Sequence, residues 1–282
     1  MIAVVYSGSN FADWRLAIKD KTVATFKTQG INPYLNDEKF ILQLLNKNIN
    51  LIHHAEEIKK IYFFTAGASS AARQQTVSNG LSAFFKNARI FVEHDVLGAA
   101  IATCKERKGI VCILGSGSNA AYYDGKKIKA NNYGLGYILA DEGSANWLGR
   151  VLLKSFMNET LPDNITKKFT KRYDYDRKQI LEKVYRSAQP ALFLSSFTEF
   201  YSENQHDEYL RETIKLGFKK FITTYVKPLL KDEPQTPVYF IGSVAAAFQD
   251  NLIETATELD VTISNIIKEP INNLLKYYSN KN

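Results

Sequence analysis

The sequence of 282 residues contains few cysteines and histidines, the residue types that form disulfides and bind metal ions. It contains two cysteines, Cys104 at the end of a helical pattern and Cys112 inside an apolar strand pattern. Neither a disulfide framework nor a metal cluster is indicated, so a reducing cytoplasm fits. The four histidines show no metal-ligand spacing: they are His53, His54, His94 and His206.

Long apolar runs and low-complexity segments are also missing. No stretch approaches the ~20 apolar residues of a membrane span, and the N-terminal apolar run is too short and lacks the basic start of a signal peptide. We therefore expect a cytoplasmic protein without a membrane partner. Hydrophobic residues make up 45% of the chain, which is typical of a full globular core. The length fits one large domain or two of ordinary size.

The chain is basic, with a net charge of +7 and a pI of about 9.1. Its lysines are spread out, with small clusters at 126–129 and 167–172. No known nucleic-acid-binding motif accompanies them, so we expect no nucleic-acid partner. A solvated lysine surface mildly favours anionic ligands such as nucleotides.

One short motif occurs twice. Ser7-Gly8-Ser9-Asn10 follows the apolar run Ile2–Tyr6, and Ser116-Gly117-Ser118-Asn119 follows the run Ile110–Leu114, an offset of 116 − 7 = 109 residues. Each copy is predicted to form a strand, a small-residue turn and a second strand. Glycine and serine let a turn approach a ligand closely, and consecutive turn N–H groups can bind an anion. The repeat suggests a duplicated fold that grips one phosphate chain from both sides.

The rest of the sequence predicts an α/β protein in two halves. The first half follows the order three strands, helix, strand, helix, strand, helix. The second begins with strand candidates and continues with helical patterns to about Leu230, then two more strands and a terminal helix. Its first three strand candidates are Gly109–Leu114, Ala120–Tyr123 and Lys127–Ala130. We expect lobes at 1–106 and 107–282, with a helical insertion at about 160–230. The terminal helix, 269–279, is a candidate to pack back on the first lobe.

The order of motifs resembles the actin, hsp70 and sugar-kinase superfamily of ATPases, most closely its branch of N-acetylglucosamine kinases and BadF/BadG-type ATPases. The resemblance covers nearly the whole chain. The two Ser-Gly-Ser turns look like the family's two phosphate loops, and Ile241–Val244 looks like its adenosine loop. Four further segments match: Glu93-His94-Asp95, Asp141–Ala145 (with Ala140 in place of a glycine), Gly30–Pro33 and Glu269–Leu274.

The resemblance implies two ribonuclease-H-like lobes, the actin-like ATPase fold, with a nucleotide cleft between them. It implies an ATP-dependent kinase of an N-acetylhexosamine-type sugar, with ATP and Mg²⁺ as cofactors and a small sugar as partner. A homodimer is left open. Asp95 would be the catalytic base that takes the proton of the acceptor hydroxyl.

The other roles come from the same resemblance. The phosphate-binding residues would be Gly8, Ser9, Asn10, Gly115, Ser116, Gly117 and Ser118. The adenosine-binding residues would be Gly242 and Ser243. The substrate-binding residues would be Asn32, Asn119, Asp141 and Glu142. The metal ligand is left open among Asp13, Asp95 and Asp141.

The first loop departs from the family pattern, which puts doubt on Mg²⁺ dependence. Tyr6 stands where the family has an aspartate that helps hold Mg²⁺, and Phe11 stands where it has a lysine for the phosphates. A single electrostatic contribution to catalysis can be worth roughly 2.7–4 kcal/mol. An impaired protein that binds sugar or nucleotide as a sensor is therefore an alternative. A BadF/BadG-type ATPase that activates a partner enzyme is another, but it would need cysteines placed for an iron–sulfur cluster.

Structural explanations of the same residues stay open. Asp95 can cap the helix that follows it. Asp141 and Glu142 can be first-turn acids favoured by a helix dipole. Asn32 can be a turn residue before Pro33.

Overall fold

The computed structural model describes residues 1–8, 10–19 and 21–281, and the chain divides into two compact units. The first unit contains Met1–Val111, Tyr122–Lys129 and Glu269–Asn282; the second contains Cys112–Ala121 and Ala130–Lys268. The lobes expected at 1–106 and 107–282 stay a proposal about domains.

The described residues form strands in two sheets. The strands are β1 (Ile2–Ser7), β2 (Phe11–Ile18), β3 (Lys21–Gln29), β4 (Lys60–Thr65), β5 (Arg89–His94), β6 (Gly109–Leu114), β7 (Ser118–Tyr123), β8 (Val238–Ile241) and β9 (Ile263–Ile267). One sheet has the order β3-β2-β1-β4-β5 and the other has the order β7-β6-β8-β9.

Helices make up much of the remainder. They are α1 (Glu38–Asn46), α2 (Ile49–His54), α3 (Ala71–Phe84), α4 (Asp95–Cys104), α5 (Gly136–Leu139), α6 (Ala145–Met157), α7 (Asp163–Arg172), α8 (Arg177–Tyr185), α9 (Pro190–Ser196), α10 (Thr198–Glu203), α11 (Glu208–Phe221), α12 (Lys227–Asp232), α13 (Ser243–Ala247), α14 (Gln249–Glu258) and α15 (Ile271–Ser279). Among the described residues, no helix is both long and apolar enough to cross a membrane.

The sheet of the first unit has antiparallel and parallel parts. β1 pairs antiparallel with β2, and β2 with β3, whereas β4 lies parallel to both β1 and β5. The carboxyl ends of β1, β4 and β5 therefore meet at one edge, where Ser7 is in register with Thr65, and Thr65 with His94. In open α/β sheets this edge is where ligands bind.

The two faces of this sheet are covered differently. One face carries the main core, in which Val5, Trp14 and Phe63 are fully buried together with residues of α1 and α3. The Trp14 indole N–H also donates to Thr28 Oγ1 at 3.0 Å, which satisfies its one polar atom. On the other face, α4 and α15 pack against the strands. Tyr278 of α15 stacks on Tyr62 of β4 with 3.9 Å between ring centroids.

The segment after β7 differs from the sequence prediction. The third predicted strand, Lys127–Ala130, is reduced to an isolated antiparallel bridge between Tyr123 and Ile128. The Asp124 carboxylate accepts from the amides of Lys126 and Lys127, both at 2.8 Å, and so closes a tight turn. The two apolar side chains of this segment, Ile128 and Ala130, are half-buried and exposed, so the segment has no buried strand face.

The long helical pattern of 207–229 is interrupted rather than continuous. Between α11 and α12 lies a π-helical turn, Ile222–Val226, and the Lys227 amide donates to the carbonyl of Ile222, five residues back. Pro228 explains the interruption. Proline has no amide proton, and its ring collides with the carbonyl four residues earlier in a regular helix. A wider turn relieves that collision.

Candidate active site

The first small-residue turn is a tight hairpin. β1 ends at Ser7 and β2 begins at Phe11, and the Gly8 amide donates to the Phe11 carbonyl at 2.9 Å. The carbonyl of Asn10 accepts from the amide of Gly30 at 2.9 Å. Ser9, one of the predicted phosphate-binding residues, lies outside the described residues. The hairpin is therefore closed by backbone bonds at its base and tied to the loop that follows β3.

The two positions that depart from the family pattern have different surroundings. Phe11 is exposed, with 60% of its surface accessible. The Tyr6 hydroxyl is buried and has no hydrogen-bond partner among the described residues. Burial, and then the nearby charge of Asp95, raise the pKa of Tyr6 well above its ordinary value, so the phenol keeps its proton. A neutral ring thus fills the position expected for an acid.

Asp13 lies beside Tyr6 but is already paired with a cation. It is directly opposite Tyr6 on β1 and opposite Lys27 on β3. The Lys27 ammonium is 3.4 Å from Asp13 Oδ1 and 3.6 Å from Glu269 Oε1. As a candidate metal ligand, Asp13 would have to exchange this lysine for the metal.

Asp95 is the first residue of α4, at the carboxyl end of β5. The residue that caps the helix is His94, so Asp95 is not the N-cap. Asp95 Oδ1 accepts from the Val96 amide at 2.9 Å and lies 3.1 Å from His94 Nε2. Burial raises the pKa of Asp95 against the lowering effect of His94 and of the backbone bonds. A carboxylate with a raised pKa at a strand end is suited to accept a proton near neutral pH.

The loop at Gly30–Pro33 is attached to the same sheet edge. Ser7 Oγ donates to the Ile31 carbonyl at 3.1 Å and accepts from the Ile31 amide at 2.9 Å, and Thr65 Oγ1 donates to the same carbonyl. Asn32, a predicted substrate contact, has its Oδ1 3.0 Å from the Tyr34 amide, as in an Asx turn. The structure therefore shows a turn role for Asn32, and its contact with a substrate stays a prediction.

The second small-residue turn is held by a helix and a carboxylate. β6 ends at Leu114 and β7 begins at Ser118, so Ser118 and Asn119 belong to a strand and not to the turn. The amides of Ala145 and Asn146, at the start of α6, donate to the carbonyls of Gly115 and Ser116 at 2.9 and 3.0 Å. These bonds use the first amides of the helix, which have no partners within the helix itself.

Asp141 supplies the carboxylate. It is 5% exposed and has a φ of +66°, a conformation in which aspartate is tolerated better than most residues. Its Oδ1 accepts from the Ser118 amide at 3.0 Å. Burial raises its pKa, while the bonds from Ser118 and Asn146 and the charge of Arg150 oppose the shift. A Cβ on Gly117 would lie 2.8 Å from Asp141 Oδ2, so the turn needs glycine at that position.

Glu142 and Asn119, two of the residues predicted to bind substrate, also have hydrogen-bond or packing partners within the second unit. Glu142 Oε2 accepts a short hydrogen bond from the Tyr225 hydroxyl. Asn119 Oδ1 accepts from the Ala120 amide at 2.9 Å, and a Cβ on Gly134 would lie 2.8 Å from Asn119 Nδ2. Sequence reasoning missed Tyr225, although Pro228 inside a helical pattern was a signal that this helix is irregular.

The predicted adenosine loop lies against the second turn. Gly242 follows β8 with a φ of +125°, and a Cβ there would be 2.2 Å from the Leu114 carbonyl oxygen and 3.1 Å from the Gly115 nitrogen. Only glycine allows this approach. The second unit therefore brings together Gly115–Ser118, Gly242 and Asp141, while the first unit brings together Gly8, Asn10, Asp13 and Asp95.

Neither unit offers a ready-made acidic metal site among the described residues. No group of three or more His, Cys, Asp or Glu side chains is placed to hold an ion. In the first unit, Tyr6 is neutral and Asp13 is paired with Lys27. The family's usual Mg²⁺ ligands are thus poorly matched here, while the close-packed glycines at Gly117 and Gly242 fit a backbone-lined nucleotide loop.

Comparisons with known proteins give solved structures that resemble this chain over nearly its whole length. No family model matches the chain, and no curated protein matches it significantly. A crystal structure of a candidate N-acetylglucosamine kinase from Porphyromonas gingivalis is 34% identical, with a TM-score of 0.93, and the match covers 99% of both chains.

Two other solved structures are similar in fold. A candidate N-acetylglucosamine kinase from Chromobacterium violaceum has 14% identity and a TM-score of 0.66, covering 98% of this chain and 99% of that one. A ROK family glucokinase from Streptomyces griseus, in complex with glucose and AMPPNP, has 11% identity and a TM-score of 0.64, covering 99% and 98%. These likenesses confirm the fold class predicted from the sequence.

Proposed function

Since this chain belongs to the family of N-acetylglucosamine kinases and BadF/BadG-type ATPases, within the actin-like ATPase superfamily, we propose that it is an ATP-dependent sugar kinase. The substrate we propose is an N-acetylhexosamine-type sugar. The observation that carries the proposal is the 34% identity to the Porphyromonas gingivalis protein over 99% of both chains. The placement of Asp95 at the carboxyl end of a parallel strand supports it.

In this reaction Asp95 takes the proton of a sugar hydroxyl. The sugar oxygen then forms a bond to the γ-phosphorus as the bond to the ADP oxygen breaks, with ATP supplying the phosphoryl group when bound. Positioning and charge neutralisation do most of the catalysis in phosphoryl transfer. The turns at Gly8–Asn10 and Gly115–Ser118 would position the phosphates, and Gly242 and Ser243 the adenosine. Asn32, Asn119, Asp141 and Glu142 would contact the sugar.

A second candidate is a weakened relative that binds sugar or nucleotide without efficient turnover. The buried neutral phenol of Tyr6 and the exposed ring of Phe11 favour it. A third candidate, a BadF/BadG-type ATPase that activates a partner, gains no support from the cysteines. Both Cys104 and Cys112 are buried, and burial raises the pKa of each thiol. A cytoplasmic location and a homodimer remain proposals.

A coupled ADP-release assay with a panel of amino sugars, with and without Mg²⁺, tests these functions. Sugar-dependent ADP release supports the kinase. Sugar binding in calorimetry without turnover supports the sensor. ATP hydrolysis at a rate that does not depend on sugar supports the third candidate and overturns the first.

A further inference from the structure

A tyrosine far along the chain is bonded to one of the acids assigned to the sugar. Tyr225 lies 83 residues after Glu142, and its hydroxyl donates to Glu142 Oε2. Tyr225 is 7% exposed. Burial first, and then the bond to Glu142, raise the pKa of Tyr225, so the phenol remains a donor at neutral pH. The Tyr225 hydroxyl is therefore available as a donor to Glu142 Oε2 throughout the physiological range.

The position of Tyr225 depends on the π-helical turn. Tyr225 is the fourth residue of that turn, which Pro228 imposes on the helix. In a regular α-helix each residue advances about 100° around the axis, whereas a π turn advances less, so the wide turn changes the direction of its side chains. π turns are rare, occur mostly as single turns inside α-helices, and are frequently found at functional sites. Here the turn points Tyr225 at Glu142.

Close glycine packing fixes the distance between the helix and the acid. A Cβ on Gly143, whose φ is +71°, would lie 3.0 Å from the Gly217 carbonyl oxygen. A Cβ on Gly217 would lie 2.9 Å from the ring of Trp147. α11 therefore packs backbone to backbone against the turn that contains Glu142, with Trp147 beside it. This close backbone contact holds α11, and the π-helical turn that continues it, next to the segment that contains Glu142.

The same tyrosine contacts the segment before α5. The rings of Tyr225 and Tyr133 meet edge to face, with centroids 4.9 Å apart. Tyr133 stands one residue before Gly134, the glycine against which Asn119 packs. Tyr225 thus touches the surroundings of two of the residues assigned to the sugar, Glu142 and Asn119.

We infer that Tyr225 is a positioning residue for substrate binding, which acts by fixing the Glu142 carboxylate, and the inference rests on the proposed function. A glutamate side chain has three rotatable bonds, and an unheld one loses that freedom when a ligand binds. A carboxylate already held through Oε2 presents Oε1 in one direction. The ligand is a hydroxyl or amide N–H of an N-acetylhexosamine-type sugar, which donates to this carboxylate.

The test compares Tyr225→Phe with a matched control in the same unit. Tyr209→Phe also removes one phenolic hydroxyl that donates to a side chain, because Tyr209 bonds Ser155 Oγ at 3.2 Å. N-acetylglucosamine and N-acetylmannosamine binding are measured by calorimetry without ATP, and KM and kcat by ADP release. Melting temperatures are recorded for every variant. Glu142→Ala and Glu142→Ala with Tyr225→Phe complete a double-mutant cycle.

For Tyr225→Phe we expect the sugar Kd and KM to rise about tenfold, the size of one hydrogen bond to a charged group. We expect kcat and the KM for ATP to stay within about twofold. Tyr209→Phe should leave the sugar Kd unchanged. In the Glu142→Ala background, Tyr225→Phe should have no further effect, because the group it holds is gone.

Two results would overturn the inference alone, and a third would overturn the proposed function together with the inference. An unchanged sugar Kd in Tyr225→Phe, with only a lower melting temperature, assigns Tyr225 to stability alone. An equal loss in the Glu142→Ala background shows that the tyrosine acts by another route. If the unmodified protein binds no amino sugar, the proposed function fails and the inference falls with it. Binding by both the unmodified protein and Tyr225→Phe, with equal Kd, overturns the inference alone.

Discussion

The two strand–turn–strand segments contain the same four letters but place them differently. Each turn spans three residues, between Ser7 and Phe11 in the first unit and between Leu114 and Ser118 in the second. The strand ends are 114 − 7 = 107 residues apart, whereas the repeated tetrads are 109 apart. The tetrad therefore begins on the last residue of β1 but inside the turn after β6. Identical letters do not mark equivalent positions.

The two turns also differ in how much space surrounds their glycines. A Cβ on Gly8 would have the Phe11 carbonyl oxygen as its neighbour, at an ordinary 3.8 Å, and one on Gly115 would meet nothing within 4 Å. A Cβ on Gly117 would meet the Asp141 carboxylate. Among the described residues, the first turn is held by backbone bonds within the hairpin and to Gly30, whereas the second is held by a buried acid and by the start of α6.

The buried acids of the two units, Asp141 and Asp95, also differ in the groups to which they are bonded. Asp141 accepts from a backbone amide within its own unit and so supports the turn. Asp95 is paired with the side chain of His94 and with the amide of its own neighbour. Burial raises the pKa of both. We therefore propose that Asp95 takes part in the chemistry and that Asp141 supports the loop in addition to its proposed contact with the sugar, and the predictions below test that division.

The largest effect is expected at Asp95. Asp95→Asn should lower kcat by about 10²–10⁴-fold, the usual contribution of proton transfer, and should change sugar binding little. Asp141→Ala should instead act mainly on the stability of the fold. It should destabilise the fold by about 2–4 kcal/mol, because it leaves the Ser118 amide unpaired and puts alanine at a positive φ.

Steady-state kinetics and calorimetric sugar binding measure the first variant, and urea unfolding measures the second. Wild-type turnover in Asp95→Asn would remove this residue from the role of base. A fully stable Asp141→Ala would show that the second turn does not depend on its carboxylate.

A smaller effect is expected from restoring the first loop. Tyr6→Asp with Phe11→Lys should raise sugar-dependent ADP release by at least about tenfold and make it depend on Mg²⁺, since one electrostatic contribution can exceed that factor. The unmodified protein should bind ATP weakly, with little gain from Mg²⁺. The Tyr6 ring is partly buried, so the new charge can cost stability, and the melting temperature is the control.

Calorimetry of ATP with and without Mg²⁺ decides the matter. Tight, strongly Mg²⁺-dependent binding by the unmodified protein would contradict the weakened-loop hypothesis. It would mean that Asp13 or Asp141 has taken over the metal.

Alanine substitutions of the turn glycines provide a further test of the comparison between the two turns. Gly117→Ala should destabilise the protein by about 1–3 kcal/mol, the range for overpacking, because its methyl group meets a carboxylate that is already bonded. Gly115→Ala and Gly8→Ala are the matched controls, since each has room for a Cβ. Urea unfolding of the three variants checks the order. A Gly117→Ala variant no less stable than Gly115→Ala would show that the Asp141 side chain can move away.

The smallest expected effect is the pH dependence of stability in Asp95→Asn. Because burial raises the pKa of Asp95, the native state binds its proton more tightly than the unfolded state does. The stability contributed by this acid therefore falls as pH rises from the ordinary carboxyl value through the raised native pKa. Asp95→Asn avoids that loss, so its melting temperature should exceed the wild-type value at neutral pH.

The advantage should vanish below about pH 4, where the wild-type carboxyl is protonated in both states. Calorimetric scans across the pH range measure it. An advantage that grew toward acid pH would mean that the native pKa of Asp95 is lowered rather than raised.

The sequence predicted most elements, because periodicity and caps are local signals. The start of α1 is an example: Asp37 stands just before the apolar residues Phe40 and Ile41, and its side chain accepts from the Phe40 amide. Two kinds of feature escaped. The strand predicted at Lys127–Ala130 is reduced to a single bridge, because its apolar side chains are not buried against a core. The bonds of Asp141 to Ser118 and of Glu142 to Tyr225 join residues 23 and 83 apart, and no local pattern encodes such pairs.

The chain's two tryptophans are divided between the units, which gives each unit its own optical probe. Trp14 is fully buried in the core of the first unit. Trp147 belongs to α6, whose first amides bond the second turn, and its ring lies on Gly217 beside the turn of Glu142. With excitation that selects tryptophan over tyrosine, a Trp14→Phe variant would therefore emit from Trp147 alone, and we expect its fluorescence to report ligand binding without any turnover. The reciprocal variant, Trp147→Phe, would make unfolding of the first unit visible alone.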